Sequence, residues 1–424
     1  MVEPSVRIPT LAGDDGYPAE VIGFDLSVPQ QPAVVIGATG AADVLAGFRF
    51  ALTQGLGVGA IATGHGPMSP ADGAVLINTR RMDGVLVDPD RRTALVQAGA
   101  TWLDVIHESA SFGLAPLCGA SPLVGVVSYC LGGGLGPLGR RYGFAADHVH
   151  RLEVVTADGE SRSASAEENP DLFWALRGGG GNVGLVTAIE IGLVEVAELY
   201  GGGLFFDGED APAVLPVLLE VMKAAPDELT LSVAIMTFPD LPEVAAPIRG
   251  RHVCHVRVAH CGSERDGVEL VAPLRAAAHP LLDTVQTIPF SAVGTIHADP
   301  TTARAVHSTT MGPASARRRT RADRAEARHP VREVHGRTPS PRRSAERTPG
   351  RPELRRPPRR GRHRLRDRLS RARELAPRGR RGVRPHRRPG AVERRRRTRQ
   401  LPRWAFSDPG RRPVRLTARR STPR

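Results

Sequence analysis

Three glycine patterns in this chain have a spacing that could hold the phosphates of a nucleotide, because a turn without Cβ atoms lets backbone N–H groups approach an anion closely. The first, Gly37-Ala38-Thr39-Gly40, sits between a β-branched run and a helical pattern. Asp43 stands where a third glycine is usual, and a carboxylate there competes with phosphate for the helix N-terminus. The second, Gly134-Leu135-Gly136-Pro137-Leu138-Gly139, matches GxGxxG literally. Pro137 lies inside that loop and Arg140-Arg141-Tyr142-Gly143 does not open an amphipathic helix, so a dinucleotide-binding βαβ turn is not expected. The third is a combination, with Gly64 to Gly66, Gly125 to Gly136 and Gly178 to Gly184 as three walls of one dinucleotide site. Each cluster taken singly is better explained as a strand end or a close packing contact.

The elements that must position these loops follow from periodicity. Residues 33–36 read as a strand, and 41–53 as a helix with Val44, Leu45, Phe48 and Leu52 on one face and Thr39 as a candidate N-cap. A strand over 58–62 runs into Thr63-Gly64-His65-Gly66, and further strands fit 75–77, 85–87 and 94–97. A second helix fits 102–112, with Trp102, Val105, Ile106 and Ala110 on one side. A strand over 152–156, a turn at Asp158-Gly159 and a helix over 171–176 follow the glycine-dense segment. Beyond residue 203, a helix at 214–224 alternates with strands at 229–236 and 252–258. The mixture predicts an α+β or α/β chain, and 312 residues are enough for two domains.

Composition changes at Gly312. The first 312 residues carry 18 Lys+Arg against 35 Asp+Glu, a balance of −17, whereas the last 112 carry 40 Arg, 15 Pro, no Lys and nine acidic residues, a balance of +31. So few apolar residues and so much like charge cannot offset the entropy of ordering a backbone, and 313–424 is expected to be disordered. Two explanations fit it. One is a basic arm for nucleic acid or a membrane. The other is an out-of-frame translation, since a single lysine, Lys223, in the whole chain points to GC-rich coding DNA, in which Ala and Gly codons read out of register become Arg and Pro codons. The absence of Lys and of a repeat, with Trp404 and Phe406 the only aromatics after Gly312, favours the second. Cys118, Cys130, Cys254 and Cys261 form neither a CxxC nor a metal-ligand spacing. The start lacks a signal-peptide pattern and no apolar stretch reaches about 18 residues, so a cytoplasmic chain without a membrane partner is expected.

Several phrases occur in one fixed order. These are Gly64-His65 after a short strand, Pro122-Leu123-Val124-Gly125 before Gly132-Gly133-Gly134, Arg141-Tyr142-Gly143 with Asp147, Val154 to Gly159, Asn169 to Arg177, and Gly178 to Thr187. As an ordered set over residues 32–195 they resemble the FAD-linked oxidases of the berberine-bridge-enzyme type, in the vanillyl-alcohol-oxidase/p-cresol-methylhydroxylase superfamily.

The resemblance implies an α+β protein. A two-part FAD-binding domain of the p-cresol-methylhydroxylase type (32–197) follows an N-terminal segment (1–31) and precedes an incomplete antiparallel-sheet substrate domain (198–312) and the disordered tail (313–424). It implies that Ala62, Thr63, Gly64, His65 and Gly66 wrap the pyrophosphate, with His65 at the position joined covalently to the flavin, against the plainer reading of a loop histidine bonded to backbone. It places Ser121, Val124, Gly125, Ser128, Gly132 and Gly134 along the flavin, and Gly184 and Val186 at the adenine end. Two departures from the family pattern matter. Ile61 replaces the arginine usual at the start of the loop, and Ser121 replaces the cysteine that forms a second flavin bond in many members, so at most one link, through His65, is expected. Cys118 and Cys130 read as small buried hydrophobes. The implied chemistry is hydride transfer from an alcohol, amine or activated C–H carbon to flavin, with O₂ as electron acceptor and a small molecule as substrate. The family's C-terminal Tyr-rich signature is absent, so no catalytic base is assigned, and this chain is expected to be inactive or poorly soluble. A noncatalytic flavin carrier, and nucleic-acid binding through an authentic Arg-rich tail, are the alternatives.

Overall fold

Three short strands, Val34–Gly37, Val75–Asn78 and Val58–Ile61, lie side by side in that order and run parallel, with Thr10–Leu11 added antiparallel at one edge. The structure is a computed structural model that describes residues 10–66, 69–305, 309–311 and 332–335, all within one unit spanning Met1–Arg373. The central strand Val75–Asn78 is buried at every position, as expected for a parallel sheet covered on both faces. Helix Ala41–Gln54 covers one face through Val44, Gly47, Phe48 and Ala51. Thr39 is not its N-cap. Gly40 holds that position, and the Asp43 carboxylate reaches back to accept from the Thr39 N–H at 2.8 Å and the Thr39 hydroxyl at 2.7 Å. The anion-attracting end of this helix is therefore already met by a carboxylate of the chain itself.

Five antiparallel strands form the second layer, in the order Val85–Asp88, Thr93–Gln97, Gly184–Gly192, Val149–Thr156 and Ser161–Ser165. Helix Trp102–Ala110 starts at a capping box. The Thr101 hydroxyl accepts from the Asp104 N–H at 3.4 Å while the Asp104 carboxylate accepts from the Thr101 N–H at 2.8 Å. The helix ends two residues before the periodicity does, at a turn through Gly113. The helix expected over 171–176 runs from Pro170 to Gly179, with non-helical backbone at Arg177 and Gly178.

The remaining sheet has the order Leu282–Asp283, Glu198–Asp207, His252–His260, Leu229–Thr237, Arg332–His335, Thr309–Met311, and Gln286–Pro289 also pairs with Glu198–Asp207. All pairs are antiparallel except the last two strands of that order, which run parallel. Period-two alternation divides its faces. Leu204, Phe206, Leu231, Val233, Val256 and Val258 pack with Val214, Leu218, Val271 and Leu274 of the helices Ala211–Ala224 and Glu264–Ala277. Gly203, Phe205, Ser232, His255 and Arg257 belong to the opposite face.

Arg332–His335 corrects one expectation, because it lies in the Arg/Pro-rich stretch read as disordered yet forms a strand on Leu229–Thr237. A strand edge presents unpaired N–H and C=O groups, and an extended segment satisfies them whatever its composition. Apart from these four residues, the stretch from 313 onward, with its basic-arm and frameshift readings, lies outside the described residues.

Sequence position 198 marks a change of sheet, and the apolar cluster between that sheet and its two helices draws only on residues 200–285, but the first cluster also reaches past this point. Leu199, Ala259, Ile288, Phe290, Val293 and Ile296 belong to the same apolar cluster as Val34, Trp102 and Val154. The 3₁₀ segment Phe290–Thr295 packs back on helix Trp102–Ala110. A polar joint adds to this. The Arg140 guanidinium donates to the Met222 and Ala225 carbonyls at 3.1 and 2.9 Å, at the C-terminal end of helix Ala211–Ala224, and Arg141 pairs with Glu228 at 2.9 Å.

Candidate functional site

Strand Val58–Ile61 delivers the chain into Ala62-Thr63-Gly64-His65. Gly64 has φ +70°, and a Cβ there would lie 2.6 Å from the Gly23 Cα, so only glycine lets the loop press this closely on its neighbour. That neighbour is held by backbone bonds, with the Phe24 N–H donating to the Thr63 carbonyl and the Asp25 N–H to the Gly64 carbonyl, both at 2.9 Å. On its other side, the Phe24 carbonyl accepts from the Arg304 N–H at 2.9 Å. The base of the loop also has an arginine, though not at position 61. Arg80 donates from Nε to the Ala62 carbonyl at 2.7 Å, from Nη1 to the Ala19 carbonyl at 3.0 Å, and from Nη2 to the Ile22 carbonyl.

The His65 imidazole lies flat on the Phe24 ring, with 3.9 Å between centroids and 13° between planes. Both ring nitrogens are buried and neither has a hydrogen-bond partner, so the expectation of a loop histidine bonded to backbone does not hold. Burial pushes its pKa below the ordinary histidine value, which leaves a neutral ring with an available lone pair at neutral pH.

His65 forms part of the wall of a cavity of 820 Å³. Phe24, Ser121, Val124 and Tyr129 line it from the N-terminal part, Thr230, Ser232, Met236 and Arg257 from the last sheet, and Ile296, His297, Asp299 and Arg304 from the segment that returns. Among the residues expected from sequence, His65, Ser121 and Val124 therefore meet at one cavity. Thr63 and Gly125 stand behind them, the Gly125 N–H donating to the Thr63 hydroxyl at 3.3 Å. The Ser121 hydroxyl accepts from the Leu123 N–H at 3.4 Å, and Ser128 donates to the Gly125 carbonyl at 3.3 Å from the first turn of helix Val126–Leu131. Gly66 is exposed, and Gly132 is the C-cap of that helix. Gly184 and Val186 do not reach the cavity. They open strand Gly184–Gly192, where Gly184 pairs with Thr156 and Val186 is buried in the core.

The glycine density after Ser121 has a packing cause that composition does not reveal. Cβ atoms at Gly119 and Gly134 would lie 2.7 and 2.4 Å from Tyr129 ring carbons, and one at Gly136 would lie 1.8 Å from the Cys118 carbonyl oxygen. Tyr129, held edge-on to Trp102 at 5.5 Å, is thus flanked by Gly119 and Gly134, while in the literal GxGxxG Gly136 makes room for the Cys118 carbonyl and Gly139 for Leu135. Only a four-residue helix, Gly139–Tyr142, follows that motif. Cys118 and Cys130 are buried as expected, and burial pushes the Cys118 thiol up to about 12 and the Cys130 thiol higher still, so neither supplies a thiolate.

Phe24, Arg80 and Arg257 carry no motif and were not legible as site residues. Each reaches the site through tertiary contact alone.

Residues 32–165 match the FAD binding domain family. This chain belongs to the vanillyl-alcohol-oxidase/p-cresol-methylhydroxylase superfamily of FAD-binding flavoproteins. Over 292 residues the flavoprotein is 31% identical to (R)-6-hydroxynicotine oxidase of Paenarthrobacter nicotinovorans, covering 68% of this chain and 62% of that one. It is also 31% identical over 238 residues to chitooligosaccharide oxidase of Gibberella zeae, covering 54% and 48%. Its fold superposes on the crystal structure of 6-hydroxy-D-nicotine oxidase from Arthrobacter nicotinovorans with a TM-score of 0.63 and 27% identity, over 70% of this chain and 66% of that one. The flavoprotein thus spans less than two thirds of the length of the curated relatives it matches. Its residues fit the cofactor at the cavity, where an unpartnered buried imidazole and a glycine loop at positive φ stand together. No described helix is long and apolar enough to cross a membrane.

Proposed function

We propose that the flavoprotein is an FAD-dependent oxidoreductase whose flavin lies in the 820 Å³ cavity, joined through His65, and whose substrate is a small alcohol, amine or activated C–H compound lying against the last sheet. The observation that carries this reading is the His65 imidazole, half-buried in the cavity wall with both ring nitrogens enclosed and unpartnered. A buried polar atom without a partner is costly and calls for an explanation, which a group bound in the cavity would supply here. A neutral imidazole clamped on Phe24 is nucleophilic and oriented. Ser121, in the same wall, is a far weaker nucleophile than a thiolate, so a second link is not part of the proposal.

When bound, FAD supplies hydride acceptance and the passage of the electron pair to O₂. The protein's own residues shape the space beside it. Loop 62–66 and segment 121–128 approach with backbone, which agrees with the close contacts at Gly64 and between Gly125 and Thr63. The last sheet lines the cavity from the other side with Thr230, Ser232, Met236 and Arg257, which contribute polar groups to fix a substrate.

The test is spectroscopic. Protein isolated with one flavin per chain should bleach anaerobically on addition of a member of an alcohol, amine and oligosaccharide panel, and recover colour with peroxide formation on admitting air. A chain that folds, holds no flavin and takes up none on incubation with FAD would contradict the proposal.

A further inference from the structure

Two stretches of chain carry the stacked rings of His65 and Phe24. One is loop 62–65, and the other runs from helix Tyr17–Val21 to Phe24. Arg80, two residues past the end of strand Val75–Asn78, bonds to both. Its Nε donates to the Ala62 carbonyl at 2.7 Å, three residues before His65. Its Nη1 donates to the Ala19 carbonyl at 3.0 Å, and its Nη2 to the Ile22 carbonyl, two residues before Phe24. Donors from one rigid plane therefore fix the spacing of the two stretches at the base of the stack.

The arginine is itself anchored. The Thr79 N–H donates to the Ile61 carbonyl at 2.9 Å, and the Arg80 N–H to the Asn78 side-chain oxygen at 3.0 Å. A Cβ on Gly99 would lie 2.1 Å from the Thr79 carbonyl oxygen, so a second turn closes tightly on the backbone that bears Arg80. Burial draws the Arg80 pKa down and the nearby Glu20 carboxylate opposes this, which leaves a half-buried guanidinium that keeps its charge.

Neighbouring side chains separate the tethering of the helix from the placing of the loop. Asn78 donates to the Glu20 carbonyl at 2.9 Å and to its carboxylate at 2.8 Å, and Arg81 pairs with the same carboxylate, 3.2 Å from Nη1. Both side chains hold helix Tyr17–Val21, yet among the described residues neither has a hydrogen bond to loop 62–65. Of the three, Arg80 alone joins the helix side to the loop.

We infer that Arg80 is a positioning residue for flavin attachment: by joining Ala62 to Ile22 it holds the His65 imidazole against Phe24, and so sets the rate at which that ring is linked. This rests on the reading of His65 as the attachment site and adds a residue to it. Attachment forms one bond from a His65 ring nitrogen to a methyl carbon of the flavin and breaks one N–H and one C–H bond. The two hydrogens leave with the electron pair to O₂ as hydrogen peroxide.

The full chain, made in a riboflavin-starved host and then incubated with FAD in air, gives the rate as acid-stable flavin against time. Arg80→Ala should link flavin about tenfold more slowly than wild type, and Arg80→Lys, which keeps the charge but not the fork, should fall between them. Arg81→Ala should lower the melting temperature but link flavin at the wild-type rate. Before FAD is added, the His65 C2–H proton resonance, assigned through His65→Asn, should lie upfield in wild type and Arg81→Ala because of the Phe24 ring current. In Arg80→Ala it should move toward the position of an unstacked histidine. An Arg80→Ala protein that links flavin at the wild-type rate, or an Arg81→Ala protein slowed equally, would overturn the inference. If Arg80→Ala does not fold, Arg80→Lys carries the test, and a wild-type rate with an unmoved resonance in that variant would overturn it too. Wild-type protein that links no flavin defeats the reading of His65 separately, and the resonance then still decides whether Arg80 sets the stack.

Discussion

Phe24 and His65 stack face to face at 3.9 Å, and Phe24 is in turn fixed between the His65 loop and Arg304 by backbone hydrogen bonds on both sides. The imidazole therefore cannot turn independently of the segment that holds Phe24. Phe24→Ala should cost about 1–2 kcal/mol of stability and slow covalent flavin incorporation several-fold, whereas Phe24→Tyr should retain both. In-gel flavin fluorescence after timed incubation with FAD measures the second effect.

Gly64 is the position where a single methyl group should do most damage. It combines φ +70° with a Cβ site 2.6 Å from the Gly23 backbone. Gly64→Ala should destabilise by about 1–3 kcal/mol from backbone strain alone, and displacement of segment 23–25 adds to that. Urea unfolding of the variant, followed by circular dichroism, gives the value.

Arg140 ties the N-terminal part to the helix Ala211–Ala224 through two carbonyls at its C-terminal end. Truncation to alanine removes two charge-assisted bonds and leaves largely buried carbonyls without that donor, a loss of about 1.5–3 kcal/mol. Proteolysis should then cut near residues 225–228 sooner than in wild type. Arg140→Lys, which keeps the charge but not the fork, should recover only part of the resistance.

Stability should fall on acidification. His65, His255 and His260 all have folded-state pKa values lowered by burial, with the Arg257 charge adding to the effect at His255. A histidine with a depressed folded pKa binds its proton more readily when unfolded. Its contribution is therefore complete above the unfolded value near about 6.5 and is lost as pH falls below it. The melting temperature should be flat from pH 7 to 8.5 and decline steadily from pH 6.5 to 5. His255→Asn should flatten part of that decline.

Some of this was legible in sequence and some could not be. The parallel strands and the helix Ala41–Gln54 follow from β-branched runs and a 3.6-residue apolar repeat, and the ordered phrases from Gly64 to Thr187 carried the family. Thr39 misled as an N-cap because Asp43, one turn on, offers the stronger acceptor. The glycines near Tyr129 look like a phosphate loop, yet each answers to a packing contact, with the Tyr129 ring, the Cys118 carbonyl or Leu135. Arg80 and Arg257 had no local signal, since an arginine's role depends on which carbonyls or cavity the fold brings to it. The strand Arg332–His335 was illegible for another reason: pairing with an open edge needs only an extended backbone, so composition does not report it.

The most direct measurement is to precipitate the purified protein with acid, wash the pellet, and read flavin absorbance and fluorescence from the redissolved chain. Wild type should retain one flavin per chain, and His65→Ala should retain none while still binding FAD reversibly before precipitation. A wild-type pellet without flavin after full incubation with FAD, or an equally coloured His65→Ala pellet, would contradict the assignment of His65 as the attachment site.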